Sequence, residues 1–385
     1  MEKEKQINKV LVIITLFWFT QYLHIPLQTI YLDTLNLSSQ MIGFIVGVYG
    51  IAQLAFRLPV GVGADRNGNH KLFIMIGMIT AGLGGVFRVM LPTGTGFLIA
   101  NMLSGLASAM WISFIVLYTN FFNQEEQRKA VSKSILANAT GIMLAFVAST
   151  LLYHVLGIIY LNTLAILAGI VGFIMAMTLE NPPAKTQVIP VKTLLSVLKN
   201  KKLILFSILA LVVIGVQLAT VMSFTSQVIS DLEGTHTQVG VGTIIFMMSS
   251  VIFARIASSE KFIQTFAKRL LVPVIFGLFA SYCFLIPSAS SIWQIFVLQV
   301  LPGIANGVLI AILTAEAMSE VPLEKKSTAM GFYQAVYAIG MILLPTFSGM
   351  IANSSSLGIA FYFLGILCLI AMSTSIKHYT INKTM

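Results

Sequence analysis

Apolar residues gather in twelve long runs along this chain, near 10–32, 40–62, 71–92, 95–122, 131–153, 157–179, 203–226, 237–257, 270–287, 292–318, 328–352 and 357–376. A helix needs roughly 20 mostly apolar residues to cross a bilayer, and the runs are about that long. Polar and helix-breaking residues separate them: Ser38-Ser39 before the second run, Pro92-Thr93-Gly94 before the fourth, Asn181-Pro182-Pro183 after the sixth and Pro287 after the ninth. Most separators are short, so neighbouring helices are antiparallel. The longest interior separator, Asn181 to Lys202, lies at mid-chain and holds five Lys with three Pro. The pattern predicts an all-α membrane protein of twelve transmembrane helices. Two six-helix bundles, residues 1–180 and 203–376, are joined by a cytoplasmic linker at 181–202 and followed by a cytoplasmic tail at 377–385.

Composition agrees with lipid as the solvent. Of 385 residues 57% are hydrophobic and 9% charged, against about 25% charged in soluble domains. The net charge of +10 raises the question of nucleic acid, but its distribution answers otherwise. If Lys3, Lys5 and Lys9 are cytoplasmic, alternate connections carry 20 of the 23 Lys and Arg on that side. The outer loops hold none, and Asp33, Asp231 and Glu233 fall there. This is the positive-inside asymmetry, so the basic charge orients the helices and predicts both termini in the cytoplasm of a plasma membrane. The first run is as long as a spanning helix and lacks a small-residue cleavage site, unlike a signal peptide. Cys283 and Cys368 both lie in apolar runs, which gives no disulfide framework, and no metal or cofactor is expected.

The two halves repeat. An offset of 198 residues pairs Asp33 with Asp231, Gln40 with Gln238, Arg57 with Arg255, Leu72 with Leu270, Gly105 with Gly303 and Glu126 with Glu324. One further residue then aligns Ala130 with Ala329 and Gly141 with Gly340. Parallel-related six-helix halves build one class of secondary transporter, with the solute near the midplane between them.

The connection between the second and third runs reads Gly61-Val62-Gly63-Ala64-Asp65-Arg66-Asn67-Gly68-Asn69-His70-Lys71. This resembles the signature loop of the major facilitator superfamily: Gly, any, Leu, Ala, Asp, Arg, any, Gly, then basic residues. It matches at Gly61, Ala64, Asp65, Arg66, Gly68 and Lys71, and departs at Gly63 and Asn69. With twelve helices and the central linker, the resemblance covers the whole chain. It implies the superfamily's two-bundle fold, secondary transport by alternating access, and a gate role for Asp65; a tight loop that needs its glycines only to turn is the plainer reading. The drug/proton antiporters of the superfamily carry a Gly-Pro pair in the fifth helix and often an Arg in the fourth. Here the fifth reads Gly141-Ile142-Met143-Leu144-Ala145-Phe146 and the Arg position is Asn101.

Arg57 lies eight residues before Asp65, roughly 12 Å from the cytoplasmic mouth of a hydrocarbon layer about 30 Å thick. Arg255 shares its depth through the repeat. Each costs about 2.5–3.5 kcal/mol to insert, which marks both as candidate functional residues. Two guanidiniums, one from each half, suit a carboxylate, phosphate or other oxyanion. The nitrate/nitrite porters of the superfamily have a similar pair, and Arg57-Leu58-Pro59 looks like their local pattern, but their glycine signature is missing here. Arginines that cap carbonyls or join a gate are the alternative.

Other polar residues fall on the first, third, fourth and tenth runs. Gln28 and Tyr31 on the outer half of the first run are candidate solute contacts, and His24 is a candidate proton carrier or a packed histidine. Asn101, Ser104, Ser108 and Trp111 form one stripe that lines a cavity or packs tightly. Glu316 reads as a cytoplasmic gate ion pair, and Arg88, near an outer helix end, is expected to snorkel to the interface.

These features predict a transporter of a small-molecule solute, an organic or inorganic anion, with protons as a possible coupling ion and no nucleic-acid partner, acting as a monomer in the bilayer. The rival is proton-coupled efflux of hydrophobic or cationic compounds. An enzyme lacks support, because the five histidines are scattered without ligand spacing, and no phosphate-cradling Gly-rich Lys-Ser/Thr loop is present for ATP-driven pumping. A fluorescent protein fused to the C-terminal tail is expected to fluoresce in a bacterial host, and alkaline phosphatase fused there to stay inactive; the opposite pair of results would reverse the topology.

Overall fold

The computed structural model describes residues 2–67, 69–123, 126–180, 199–257, 268–321 and 326–381. The first half contains α1 (Glu2–Tyr22), α2 (Ile25–Thr34), α3 (Ser39–Asn67), α4 (His70–Met90), α5 (Gly94–Ala109), α6 (Trp111–Asn120) and α7 (Gln127–Met177). The second contains α8 (Lys201–Ala219), a π-helical turn (Thr220–Phe224), α9 (Thr225–Asp231), α10 (His236–Ala257), α11 (Lys268–Leu285), a 3-10 turn (Ile286–Ser288), α12 (Ile292–Leu298), α13 (Val300–Met318), α14 (Lys326–Ser354) and α15 (Leu357–Ile381). Helix starts follow the polar separators. Asn69, Thr93, Asn200 and Ser291 each accept a hydrogen bond from the backbone N–H three residues on, and Thr235 with Gln238 forms a reciprocal capping box. Asn69, the departure from the family loop, is thus the cap of α4.

Among the described residues eleven helical stretches are long and apolar enough to cross a membrane. The twelve predicted crossings are accommodated because α7 holds two. Its 51 residues would measure about 76 Å, more than twice the hydrocarbon thickness of about 30 Å. Gly157 interrupts it with φ 67°, ψ 176°. No neighbour lies within 4 Å of a Cβ built there, so glycine is needed for the backbone angle and not for space. The outward surface is apolar: Val155, Trp293, Met90 and Val297 are among the most exposed side chains.

Two compact units are present: Met1–Leu27 with Val48–Ile189, and Gln28–Gly47 with Pro190–Met385. In the first, Lys9 Nζ donates to Thr178 Oγ1 at 2.9 Å, bringing the start of α1 to the end of α7. In the second, the first turns of α3 lie against α14. A Cβ on Gly43 would collide with the Pro345 carbonyl oxygen, and one on Gly349 with the Ser39 carbonyl oxygen.

The repeat recurs in three dimensions, unit by unit. A Cβ on Gly105 would strike the Tyr49 carbonyl, and one on Gly303 the Phe246 carbonyl. Gly141 lies on the Thr15 carbonyl and Gly340 on the Leu211 carbonyl in the same way. The first helix of each half is also broken at equivalent positions, by different chemistry. Between α1 and α2, Pro26 has no N–H to donate to the Tyr22 carbonyl. At the matching place in the second half, Thr220 Oγ1 donates to the Val216 carbonyl at 2.7 Å and the backbone widens into a π turn.

Gly141→Leu should therefore lower stability by about 1–3 kcal/mol, read as a fall in melting temperature of the purified protein. Gly331→Leu is the control, since nothing lies within 4 Å of a Cβ at that position; equal effects of the two would contradict the close α1–α7 approach.

Candidate functional site

The interior of the first unit is polar where the hydropathy pattern alone reads apolar. Asn101, Ser104 and Ser108 share one face of α5, and all three are buried. On α4, Arg88 follows Gly84 by one turn and lies alongside it, with Gly84 leaving room for Nη1. Arg88 Nη2 donates to Asn101 Oδ1 at 2.8 Å and to Ser104 Oγ at 3.2 Å. The Phe97 ring lies 5.9 Å from the guanidinium carbon. Gln21 of α1 donates through Nε2 to the Ser104 carbonyl at 2.8 Å and to Ser108 Oγ at 3.0 Å. Tyr49 of α3 shares a 2.6 Å hydrogen bond with Ser108 Oγ, and Gln53 Nε2 donates to the Tyr49 hydroxyl at 3.4 Å. One seam thus joins α1, α3, α4 and α5.

Arg88 corrects the expectation that it snorkels to the interface. It is only 2% exposed. Its position two residues from the end of α4 is compatible with either direction, but Asn101 and Ser104 offer fixed acceptors inside, and a donor satisfied within the bundle has no reason to reach for lipid headgroups. The stripe of Asn101, Ser104 and Ser108 is accordingly a hydrogen-bonded seam between helices. Trp111, at the start of α6, belongs to an aromatic cluster: its ring lies 5.3 Å from Trp18, edge to face, and 6.0 Å from Phe114.

The remaining candidates are divided between the units. Arg57 and His24 lie in the first, both buried. Gln28, Tyr31 and Arg255 lie in the second. Gln28 is buried and its Oε1 finds no donor among the described residues; Tyr31 is half-buried, and Arg255, in the last turn of α10, is exposed. Around the π turn, Ser223 Oγ shares a 3.3 Å hydrogen bond with Thr29, and Thr225 shares one of 2.7 Å with the Tyr282 hydroxyl. Of the signature loop, Gly61, Asp65 and Arg66 are helical in α3 but their side chains lie outside the described residues, as does Gly68 altogether. Lys71 is half-buried in the first turn of α4.

Glu316 is buried at the end of α13 and pairs with Lys202 of α8 at 3.1 Å, while Glu320 lies 3.6 Å from the same ammonium. Sequence reading singled out Glu316 and missed Lys202, as it missed Tyr49 and Gln53. Lys202 is one of five linker lysines and nothing in the local pattern sets it apart.

Apolar helices facing outward, buried polar seams and a twofold repeat define a multi-pass membrane transporter. The family model of the Major Facilitator Superfamily matches residues 10–266 and 208–377, and the chain belongs to that superfamily. It is 23% identical over 346 residues to the inner membrane transport protein YajR of Escherichia coli K12, covering 86% of this chain and 73% of that one. It is also 23% identical to an uncharacterised transporter of the superfamily from Methanocaldococcus jannaschii, covering 87% of each. Among solved structures it matches an inward-facing, unoccupied bacterial homolog of the human lysosomal transporter Spinster (TM-score 0.78, 15% identity, 97% of this chain and 96% of that one). It matches the nucleoside transporter NupG similarly (TM-score 0.76, 16% identity, 98% and 99%). At these identities the structures share the fold. Transport of a small solute, and not enzymatic turnover, is the activity of this chain.

The Lys202–Glu316 pair gives a direct test of its energetics. Lys202→Met removes the ammonium that compensates a buried carboxylate and should destabilise the protein by about 1–3 kcal/mol, whereas the Lys202→Met/Glu316→Met double variant should melt closer to wild type. Additive losses in the double-mutant cycle would mean that the two charges do not interact.

Proposed function

We propose that this transporter carries a small organic or inorganic anion by alternating access, and that Arg57 and Arg255 each contribute a guanidinium to recognising it. The carrying observation is the sign of the charge inside the crossings. Arg57 and Arg88 are buried in α3 and α4, and the carboxylate of Glu316, buried at the end of α13, is neutralised by Lys202. Asp33 and Asp231 are exposed at helix ends. A cationic solute would meet no unneutralised carboxylate at mid-crossing among the described residues, whereas an anion would meet guanidiniums able to bind it through two parallel hydrogen bonds. Efflux of cationic compounds has no comparable support.

In the same reading Gln28, Tyr31 and Trp111 are solute contacts, Asp65 and Glu316 are cytoplasmic gate residues, and protons taken up through His24 are the coupling ion. The membrane is the plasma membrane with both termini in the cytoplasm, in keeping with the distribution of basic residues.

The test is uptake into proteoliposomes of radiolabelled lactate, nitrate and inorganic phosphate under an imposed pH gradient. Whichever anion the wild type carries, Arg57→Gln and Arg255→Gln should each lower its initial rate about tenfold or more, as expected for loss of a charged hydrogen bond. Undiminished transport by the doubly substituted protein would end the proposal.

A further inference from the structure

Beside the Lys202–Glu316 pair a third helix contributes a titratable ring. His378 of α15 lies two residues beyond the twelfth apolar run. Its imidazole meets the Phe206 ring edge to face at 5.3 Å, and Phe206 lies one helical turn from Lys202 on α8. The ring of Tyr379, next on α15, is 5.2 Å from the imidazole and 6.4 Å from Phe206. The Tyr379 hydroxyl is buried without an acceptor among the described residues, and it is near enough to Glu316 to feel its charge. The charges that act on His378 are Lys202, Glu316 and Glu320. Of the other helices packed on α15, α11 brings Arg269, which is exposed, and the side chain of Lys326 on α14 lies outside the described residues.

This cluster suits a neutral imidazole. An imidazolium would be half-buried against an aromatic ring and close to the Lys202 ammonium. The carboxylates offset this only in part, because Glu316 is already compensated by Lys202 at 3.1 Å and the Glu320 side chain is 60% exposed, where water screens it. Burial and Lys202 together hold the imidazole below the usual histidine value. We propose that His378 is a proton sensor for the Lys202–Glu316 pair. Neutral, it leaves Glu316 to Lys202. Protonated, it displaces Lys202 from Glu316: the flexible lysine stem carries its ammonium to water, and the imidazolium takes the carboxylate with the Tyr379 hydroxyl as a second donor on α15. One proton thus moves Glu316 from α8 to α15. By the distribution of basic residues this end of the helices faces the cytoplasm, so the sensor reads cytoplasmic pH. Its bearing on transport rests on the gate role proposed for Glu316; the change of partner does not.

Double-mutant cycles of Lys202→Met and Glu316→Met, read from melting temperatures in lipid nanodiscs, measure the pairing directly. Between about pH 8 and about pH 5.5, on either side of the usual histidine value, the coupling should fall to about half or less. In a His378→Gln background it should not change. The folded protein resists protonation of His378 and the unfolded chain does not, so the wild type should lose melting temperature relative to His378→Gln as the pH falls below about 6.5. In Lys202→Met, where the ammonium is gone and Glu316 is left to attract the proton, that loss should become a gain. If His378→Gln does not fold, NMR titration of 13C-labelled histidine decides the matter. One resonance should titrate about one pH unit higher in Lys202→Met than in wild type, a tenfold gain in proton affinity. Coupling that is independent of pH, a pH dependence that persists in His378→Gln, or histidine midpoints unmoved by Lys202→Met would overturn the sensor. None of these readouts involves a solute, so their failure would leave the anion reading intact, and failure of that reading would leave the sensor intact.

Discussion

A polar group inside hydrocarbon has no water to turn to, and the placement of side chains in this protein follows from that constraint. Backbone groups are satisfied by continuous helices, and polar side chains by one another. Arg88, Asn101, Ser104, Gln21, Ser108, Tyr49 and Gln53 hand hydrogen bonds from α4 through α5 to α1 and α3. Leucine-like side chains gain little by leaving lipid for a protein interior, so association of these helices relies on such bonds and on close backbone approach at small residues. The glycines at the α1–α7, α3–α5 and α3–α14 crossings supply the second element.

Symmetry operates on this scaffold at the level of backbone geometry more than of side chains. The first helix of each half breaks at matched positions, with Pro26 responsible in one half and the hydroxyl of Thr220 in the other. Glycine contacts recur at the matched positions 105 and 303, and 141 and 340. The buried seam around Arg88 does not recur. The position matching Arg88 is Ile286, in a 3-10 turn, and that matching Asn101 is Gln299. Arg57 is buried whereas its counterpart Arg255 is exposed. The halves have kept the geometry that lets each fold and have diverged in what each presents to a solute.

Two ionic features of the described crossings differ in kind. Lys202 with Glu316 and Glu320 is a compensated pair near the end of its helices, where side chains retain some access to water. Arg88 is a single charge held by neutral dipoles. The first is what a structural or gating contact requires. The second is held in place by polar acceptors and an aromatic face.

How much of this was legible beforehand depends on the range of the interaction. The number of crossings, the helix caps, the repeat and the superfamily signature are all properties of residues close in sequence or at a fixed offset, and hydropathy with turn chemistry reads them directly. The stripe on α5 was visible at its spacing of three and four, but not its partner. A run that is apolar almost all round does not say which face meets protein and which meets lipid, so whether Arg88 pointed inward or toward headgroups was decided only by Asn101 and Ser104, thirteen and sixteen residues away. For the same reason Lys202, one linker lysine among five, acquired its role from Glu316 across the bundle. Tertiary structure alone determined where each buried charge finds its partner, because in lipid that choice is set by the nearest polar group in space.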